Sequence, residues 1–285
     1  MRSRFDRQNL SQFWDVVSER HKIWHRRNIE KKSRPWTQDA ILSSYRFTNV
    51  YRELDPGTKY AKRIIKKAEG LQETIFNLIL YRLIGRKETH QFIGIRSLND
   101  TKEEIENALR ERESKGTVFT AAYTVCAYHW YGGKDKIENV AYLCQDMQYA
   151  LETLQLAVVS SMKEAYQKLR QIPGLGKFLS YQVLVDATYY VNGSQVLDLD
   201  QNEWARAGPG AERGLKYLGI TSFRVEAMKE LHRMHESALD QRDFPWLQED
   251  GNVMLKLSDI QNCLCEYSKY KKTIDGDGRP RRTYP

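Results

Sequence analysis

The sequence predicts an all-α protein. Apolar residues recur at helical spacing through most long stretches, strand-like alternation is sparse, and two patterns of the capping-box kind open helical runs. In chain order, Phe13 to Ile29 mixes apolar and basic residues with Trp14, Val17, His21 and Trp24 at helical spacing, which predicts the first helix. A loop holding Pro35 follows, and Thr37 to Tyr51 reads as a second helix. Asp55-Pro56-Gly57-Thr58 reads as a turn, because proline sets φ and glycine permits reversal. Helical pattern resumes from about Lys59 to Leu83 and stops at Gly85.

Thr101-Lys-Glu-Glu104 is a capping box that opens a helix through about Lys115. A further helix is expected from Val118 to about Tyr131, ended by Gly132-Gly133, and a long helical stretch from Ile137 to Gln171, in more than one piece. Ser258-Asp-Ile-Gln261 is the second capping-box pattern, with Ile260, Leu264 and Tyr267 on one face of the final helix. No internal repeat or low-complexity linker divides the chain. The expectation is one helical domain over residues 1–274, or two packed lobes within it with a hairpin at 169–191, and a basic extended tail over 275–285.

Composition narrows the function classes. The chain has 285 residues, 41% hydrophobic and 29% charged, as an ordinary folded protein does. Its net charge of +8 favours polyanionic partners such as nucleic acid. Cys126, Cys144, Cys263 and Cys265 match no zinc spacing and read as reduced, mostly buried thiols. The N-terminus has no apolar h-region, and the most apolar run, Ile75 to Ile84, is short and contains Asn77 and Arg82. A buried helix is expected there instead of a membrane span, in a soluble intracellular protein.

Four segments carry chemistry. In Leu169-Arg-Gln-Ile-Pro-Gly-Leu-Gly-Lys-Phe-Leu179 a helix runs into a glycine-flanked turn, and a new helix starts at Lys177. Amides around Gly174 and Gly176, with the Lys177 cation, suit a backbone phosphate of DNA, as in a helix-hairpin-helix. In Ala207-Gly-Pro-Gly-Ala-Glu-Arg-Gly214, amides at Gly208 and Gly210 with Arg206 and Arg213 suit phosphate or pyrophosphate. Between them lie Asp186, Asp198, Asp200 and Glu203, any of which can act as a base or orient an amine. Finally, Tyr45 to Asp55, read as helical, places Arg46, Asn49 and Glu53 on one face and Tyr45, Thr48 and Arg52 on another, a pattern able to stack on a base. The P-loop pattern GxxxxGK[ST] occurs nowhere, which argues against kinase activity.

Together these blocks resemble a family. Trp14 to Arg27 with Pro35-Trp36-Thr37 and Tyr45 to Asp55 are similar to the start of the helical domain of 5-hydroxymethyluracil DNA kinases, also called alpha-glutamyl/putrescinyl thymine pyrophosphorylase. The likeness continues through Ile172-Pro-Gly-Leu-Gly176, Tyr181-Gln182 and Asp186, then Ala207 to Ala211 with Arg213-Gly214. It closes with Asp259 to Glu266 and Lys269-Tyr270.

The resemblance implies a helix-hairpin-helix DNA glycosylase-like fold and action on a flipped, 5-substituted thymine in DNA. It implies transfer of an amino acid or polyamine onto 5-pyrophosphoryloxymethyluracil with loss of pyrophosphate. In that scheme Asp186, Asp198 or Asp200 takes the proton. Arg206, Gly208, Gly210 and Arg213 hold the leaving group, and Gly174, Gly176 and Lys177 grip DNA. Arg46, Asn49, Arg52, Asp55, Tyr181 and Gln182 then face the base. Two alternatives stay open: a non-catalytic DNA-binding subunit serving a separate 5-hydroxymethyluracil DNA kinase, and glycosylase-like base excision. No cofactor is firmly implied, although carboxylates can hold magnesium beside pyrophosphate. The implied location is the cytoplasm of a phage-infected cell, or the nucleus in a eukaryote.

Overall fold

The computed structural model describes residues 4–121, 126–249, 251–280 and 282–284. Among the described residues twelve α-helices make up nearly all the regular structure, and the only strands are the pair Gln248–Glu249 (β1) and Gly251–Asn252 (β2). The all-α expectation holds. The chain forms two compact units, residues 1–55 with 201–285, and residues 56–200, so the second is inserted in the sequence of the first.

In the first unit the helices are Arg7–Asn28 (α1), Ala40–Ser44 (α2), Pro209–Tyr217 (α10), Arg224–Asp240 (α11) and Leu257–Ile274 (α12). Asp6 caps α1 by accepting from the Asn9 amide at 2.8 Å. The apolar face of α12 buries Ile260, Leu264 and Tyr267, as its periodicity predicts. Tyr267 packs edge-on against Phe13 of α1 at 5.4 Å, and its hydroxyl donates to the Asn9 carbonyl at 3.1 Å. α10 lies close on α12 because of two glycines. A Cβ at Gly210 would stand 2.9 Å from Cys265 Sγ, and one at Gly214 2.3 Å from the Leu264 carbonyl oxygen.

The second unit contains Pro56–Lys67 (α3), Gly70–Ile84 (α4), Lys87–Ile93 (α5), Lys102–Ser114 (α6), Lys136–Thr153 (α7), Met162–Leu169 (α8) and Lys177–Ala187 (α9). α4 is its core. Ile75, Phe76, Leu78, Ile79, Leu80, Leu83 and Ile84 are all buried, and a helix apolar on every side needs neighbours all round. α3, α5, α7 and α9 supply them. The buried Asn77 is satisfied by donating to the Glu73 and Arg96 carbonyls and accepting from the Arg96 amide, at 2.8–2.9 Å. Thr101 and Glu104 form the expected capping box. No helix among the described residues is long and apolar enough to cross a membrane.

Five local expectations are corrected. The helix expected over Thr37–Tyr51 is only Ala40–Ser44, and the chain then runs extended. Asp55–Thr58 is no turn: Pro56 opens α3, where proline's missing N–H costs nothing. The helix expected from Lys59 to Leu83 is interrupted between α3 and α4, where Gly70 takes φ +72°. Within Val118–Tyr131 only the 3-10 turn His129–Tyr131 is helical among the described residues, and 122–125 lie outside them. There the Val118 carbonyl accepts from Thr89 and the Thr120 amide donates to Ile84, in place of a helical ladder. The final helix starts earlier than the Ser258–Gln261 pattern predicts, at Leu257, and keeps only half of a capping box: Asp259 accepts from the Lys256 amide at 2.9 Å, while the Lys256 side chain has no acceptor atom to return the bond.

Candidate functional site

The hairpin of the second unit forms where the sequence places it. α8 ends at Leu169, and Ile172 and Leu175 are buried beneath the turn. Gly174 takes φ +75°, and a Cβ there would meet Leu143 of α7 at 2.7 Å, so glycine is required twice over. Gly176 is the N-cap of α9, has no side-chain cap, and faces open space. The exposed Lys177 stands beside those N-terminal amides. Positive amide ends, a lysine and room for a ligand suit a phosphodiester.

Further along α9, Tyr181 is buried and Gln182 half-buried. Asp186 is fully buried, with both carboxylate oxygens held by one guanidinium: Arg82 Nε donates to Oδ2 at 2.6 Å and Nη2 to Oδ1 at 2.7 Å. This bidentate pair ties α4 to α9. Asp198 and Asp200, in the loop after α9, are exposed.

In the first unit, the Tyr45–Asp55 segment is a strap, extended up to Tyr51 and closing in a single 3-10 turn at Arg52–Leu54, not an α-helix. Arg46, Asn49 and Glu53 therefore do not share a helical face, and neither do Tyr45, Thr48 and Arg52. The reason is a competing set of hydrogen bonds. The polar face of α12 presents Asp259, Asn262 and Glu266 at helical spacing. Glu266 Oε2 accepts from the Thr48 amide at 3.1 Å, Asn262 donates to the Asn49 carbonyl at 3.1 Å, and Asp259 Oδ1 accepts from the Arg52 amide at 2.8 Å. From α1, buried Arg20 donates to the Phe47 carbonyl at 2.7 Å and to Asn49 Oδ1 at 3.1 Å. Asp55 closes the strap on itself by accepting from the Asn49 amide at 3.0 Å.

Burial governs the titration of this network. It pushes the Asp259 carboxyl up to about 6, raises Asp55, lifts the Cys263 thiol well above its ordinary value and lowers the Arg20 guanidinium. A small open cleft lies against it between Arg20, Phe47, Asn49, Cys263 and Glu266. Of the predicted base-facing residues, Asn49 borders this cleft, Asp55 supports it, Arg52 is buried, and Arg46 is exposed at the surface. Arg20, Arg82, Asp259, Asn262 and Glu266 are not among the site residues that the sequence predicts. The signal for the last three was a polar stripe at 259, 262 and 266 on a helix whose other face is apolar.

The second phosphate loop opens α10. Gly208 is its N-cap, without a side-chain cap and with open space where a Cβ would lie, and Pro209 is at the first helical position. Arg206 is half-buried, and Arg213 is exposed with Nε donating to Ser268 Oγ at 3.4 Å. Cys144, Cys263 and the exposed Cys126 are free thiols, as is the half-buried Cys265. Among the described residues no three His, Cys, Asp or Glu side chains gather as a metal site.

Residues 7–278 match the model of the family described as the 5-hmdU DNA kinase helical domain. The chain belongs to that family. It is also 30% identical, over 297 residues, to a 5-hmdU DNA kinase of Bacillus phage SP10, across 95% of this chain and 46% of that protein. The chain thus spans about half the length of this relative. No solved structure matches it.

Membership corrects one expectation. The missing P-loop argues against kinase activity on sequence alone, yet the matching family and relative are both named for a DNA kinase. A P-loop is one way among several to hold a triphosphate, and in protein kinases a different glycine-rich loop does so. Its absence from the helical domain carries no weight against phosphoryl transfer.

Proposed function

We propose that this chain recognises 5-hydroxymethyl-2′-deoxyuridine in DNA and presents its hydroxymethyl group for phosphorylation, as the helical domain of a 5-hmdU DNA kinase. The observation that carries this reading is the family match over residues 7–278. The α8–α9 hairpin supports it, since the first amides of α9, with no side-chain cap at Gly176, stand beside Lys177 and suit a DNA phosphate.

In the reaction the hydroxymethyl oxygen attacks the terminal phosphorus of a nucleoside triphosphate. Its proton passes to a base, and a nucleoside diphosphate leaves. Asp198 or Asp200 is the candidate proton acceptor, because both side chains are exposed to an incoming substrate while Asp186 is fully buried. Arg206, Gly208, Gly210 and Arg213 are the candidate phosphate ligands. Magnesium would be held mainly by phosphate oxygens and water, which is how it is usually bound beside nucleotides.

The test is nucleoside mass spectrometry on DNA carrying 5-hydroxymethyl-2′-deoxyuridine or thymidine, incubated with the chain, ATP and Mg²⁺, alongside binding measurements on both DNAs. A phosphorylated nucleoside assigns phosphoryl transfer to this chain. A tenfold binding preference for the modified DNA without product assigns it the recognition half of the reaction. Equal binding and no product would sink the proposal. A parallel incubation of 5-pyrophosphoryloxymethyluracil DNA with amino acids and polyamines would reveal an amine adduct, and so a different reaction at the same carbon.

A further inference from the structure

The first unit carries a basic and aromatic surface that the proposed chemistry does not use. Between residues 22 and 34 there are six cations, Lys22, Arg26, Arg27, Lys31, Lys32 and Arg34, against the single acid Glu30. Arg26 pairs with Glu19 and Lys32 with Glu30, while Arg27, Lys31 and Arg34 are exposed. Arg27 and Arg34 flank Trp36, whose indole N–H donates to the Lys32 carbonyl at 2.7 Å and so fixes the ring. The Arg27 guanidinium carbon lies 5.4 Å from the Trp36 ring centroid, and that of Arg34 lies 4.9 Å from Trp36 and 4.8 Å from Tyr284.

The C-terminal segment completes this surface. Tyr45 and Thr283 form an antiparallel bridge, the Arg46 amide donates to the Arg282 carbonyl at 2.9 Å, and the Tyr284 amide donates to Ser44 at 3.2 Å. The pairing seats Tyr284 edge-on against Trp36 at 5.4 Å and sets exposed Arg46 and Arg282 on the two bridged segments. Exposed Arg27 and Arg34 therefore lie against two half-buried rings, with exposed Arg46 and Arg282 on the paired segments beside them and exposed Lys31 in the same basic run as Arg27 and Arg34.

We infer that this surface binds a single strand of DNA. Arg27, Lys31, Arg34, Arg46 and Arg282 contact phosphates, and Trp36 and Tyr284 offer stacking area to unpaired bases. Flat rings interleaved with arginine suit unstacked bases, whereas a duplex keeps its bases inside and presents phosphates alone. The surface is distinct in residues from the α8–α9 hairpin, which offers amides and one lysine but lacks this density of arginine. The inference rests on the reading that the chain acts on DNA.

The experiment is fluorescence anisotropy with a labelled oligothymidylate and a duplex of the same length, across a salt series. The proteins are wild type, Arg27→Ala/Arg34→Ala, Tyr284→Ala and the hairpin variant Lys177→Ala. The arginine pair is expected to weaken single-strand binding about tenfold or more and to reduce the slope of log affinity against log salt by ~1.4, at ~0.7 per phosphate lost. Tyr284→Ala should weaken it at least fivefold with little change in slope, since stacking carries no charge. Single-strand binding unchanged in both variants, with Lys177→Ala impaired, would overturn the inference and leave DNA action standing. Wild type binding neither DNA would overturn both. Circular dichroism melts of the variants, all altered at exposed or half-buried positions, separate lost contacts from lost folding.

Discussion

Asp259 is a buried carboxylate whose oxygens each accept a backbone N–H, one from Arg52 and one from Lys256. Burial nevertheless dominates and moves its pKa from 3.8 up to about 6. Between those two values the folded protein holds a proton that the unfolded chain has released. The Asp259 contribution to stability is therefore greatest below about 3.8 and falls as pH rises through about 6. Asp259→Asn cannot ionise and should lack this fall, so denaturant melts from pH 4 to 7 should show the wild-type advantage shrinking. The variant should also be less stable by about 1–3 kcal/mol at low pH, because the amide can accept only one of the two N–H groups. Parallel pH profiles would show that Asp259 is ionised throughout. None of this is visible at residue 259 in the sequence, because burial and the Arg52 amide come from parts of the chain far away.

At the scale of elements, the glycines divide by what surrounds them. Gly214 of α10 has the Leu264 carbonyl where a Cβ would go, so Gly214→Ala must push α10 off α12. A loss of about 1–3 kcal/mol is expected, as for other overpacked contacts, read by chemical denaturation. Gly176 has open space and an uncapped helix behind it. Gly176→Ser adds a hydroxyl that accepts from the first amides of α9, so stability should hold or rise slightly while DNA affinity falls about fivefold. A serine variant that binds DNA like wild type would remove the hairpin from the DNA contact. Both glycines sit in motifs legible in the sequence, yet the motif alone did not separate packing from binding. Helices with strong local signals were also legible: the Thr101–Glu104 box, the start at Lys177, and the apolar face of α12. The strap at 45–55 was not, because side chains of α1 and α12 satisfy backbone groups at Phe47, Thr48 and Arg52 and hold the chain out of an α-helix.

At the scale of the molecule, the contiguous unit 56–200 has its own core around α4, while the other unit is assembled from two separated stretches of chain. Residues 56–200 expressed alone should fold into a helical domain that melts cooperatively by circular dichroism, since every neighbour of α4 named above lies within them. A non-cooperative melt would show that its core depends on the rest of the chain. Residues 1–55 alone should remain unfolded, because α1 and the strap need α12 as partner.

The sequence by itself determined the helical class, the hairpin that starts α9, the excess of positive charge and the family resemblance. Those features depend on local periodicity, capping and composition, or on motif blocks read together. Only the tertiary structure decided that Tyr45–Asp55 is a strap, that Asp186 is sealed against Arg82, and that Tyr284 lies on Trp36 beside Arg34. Each is a pairing between groups far apart in the chain, and burial sets its strength; neither partner's local sequence records it.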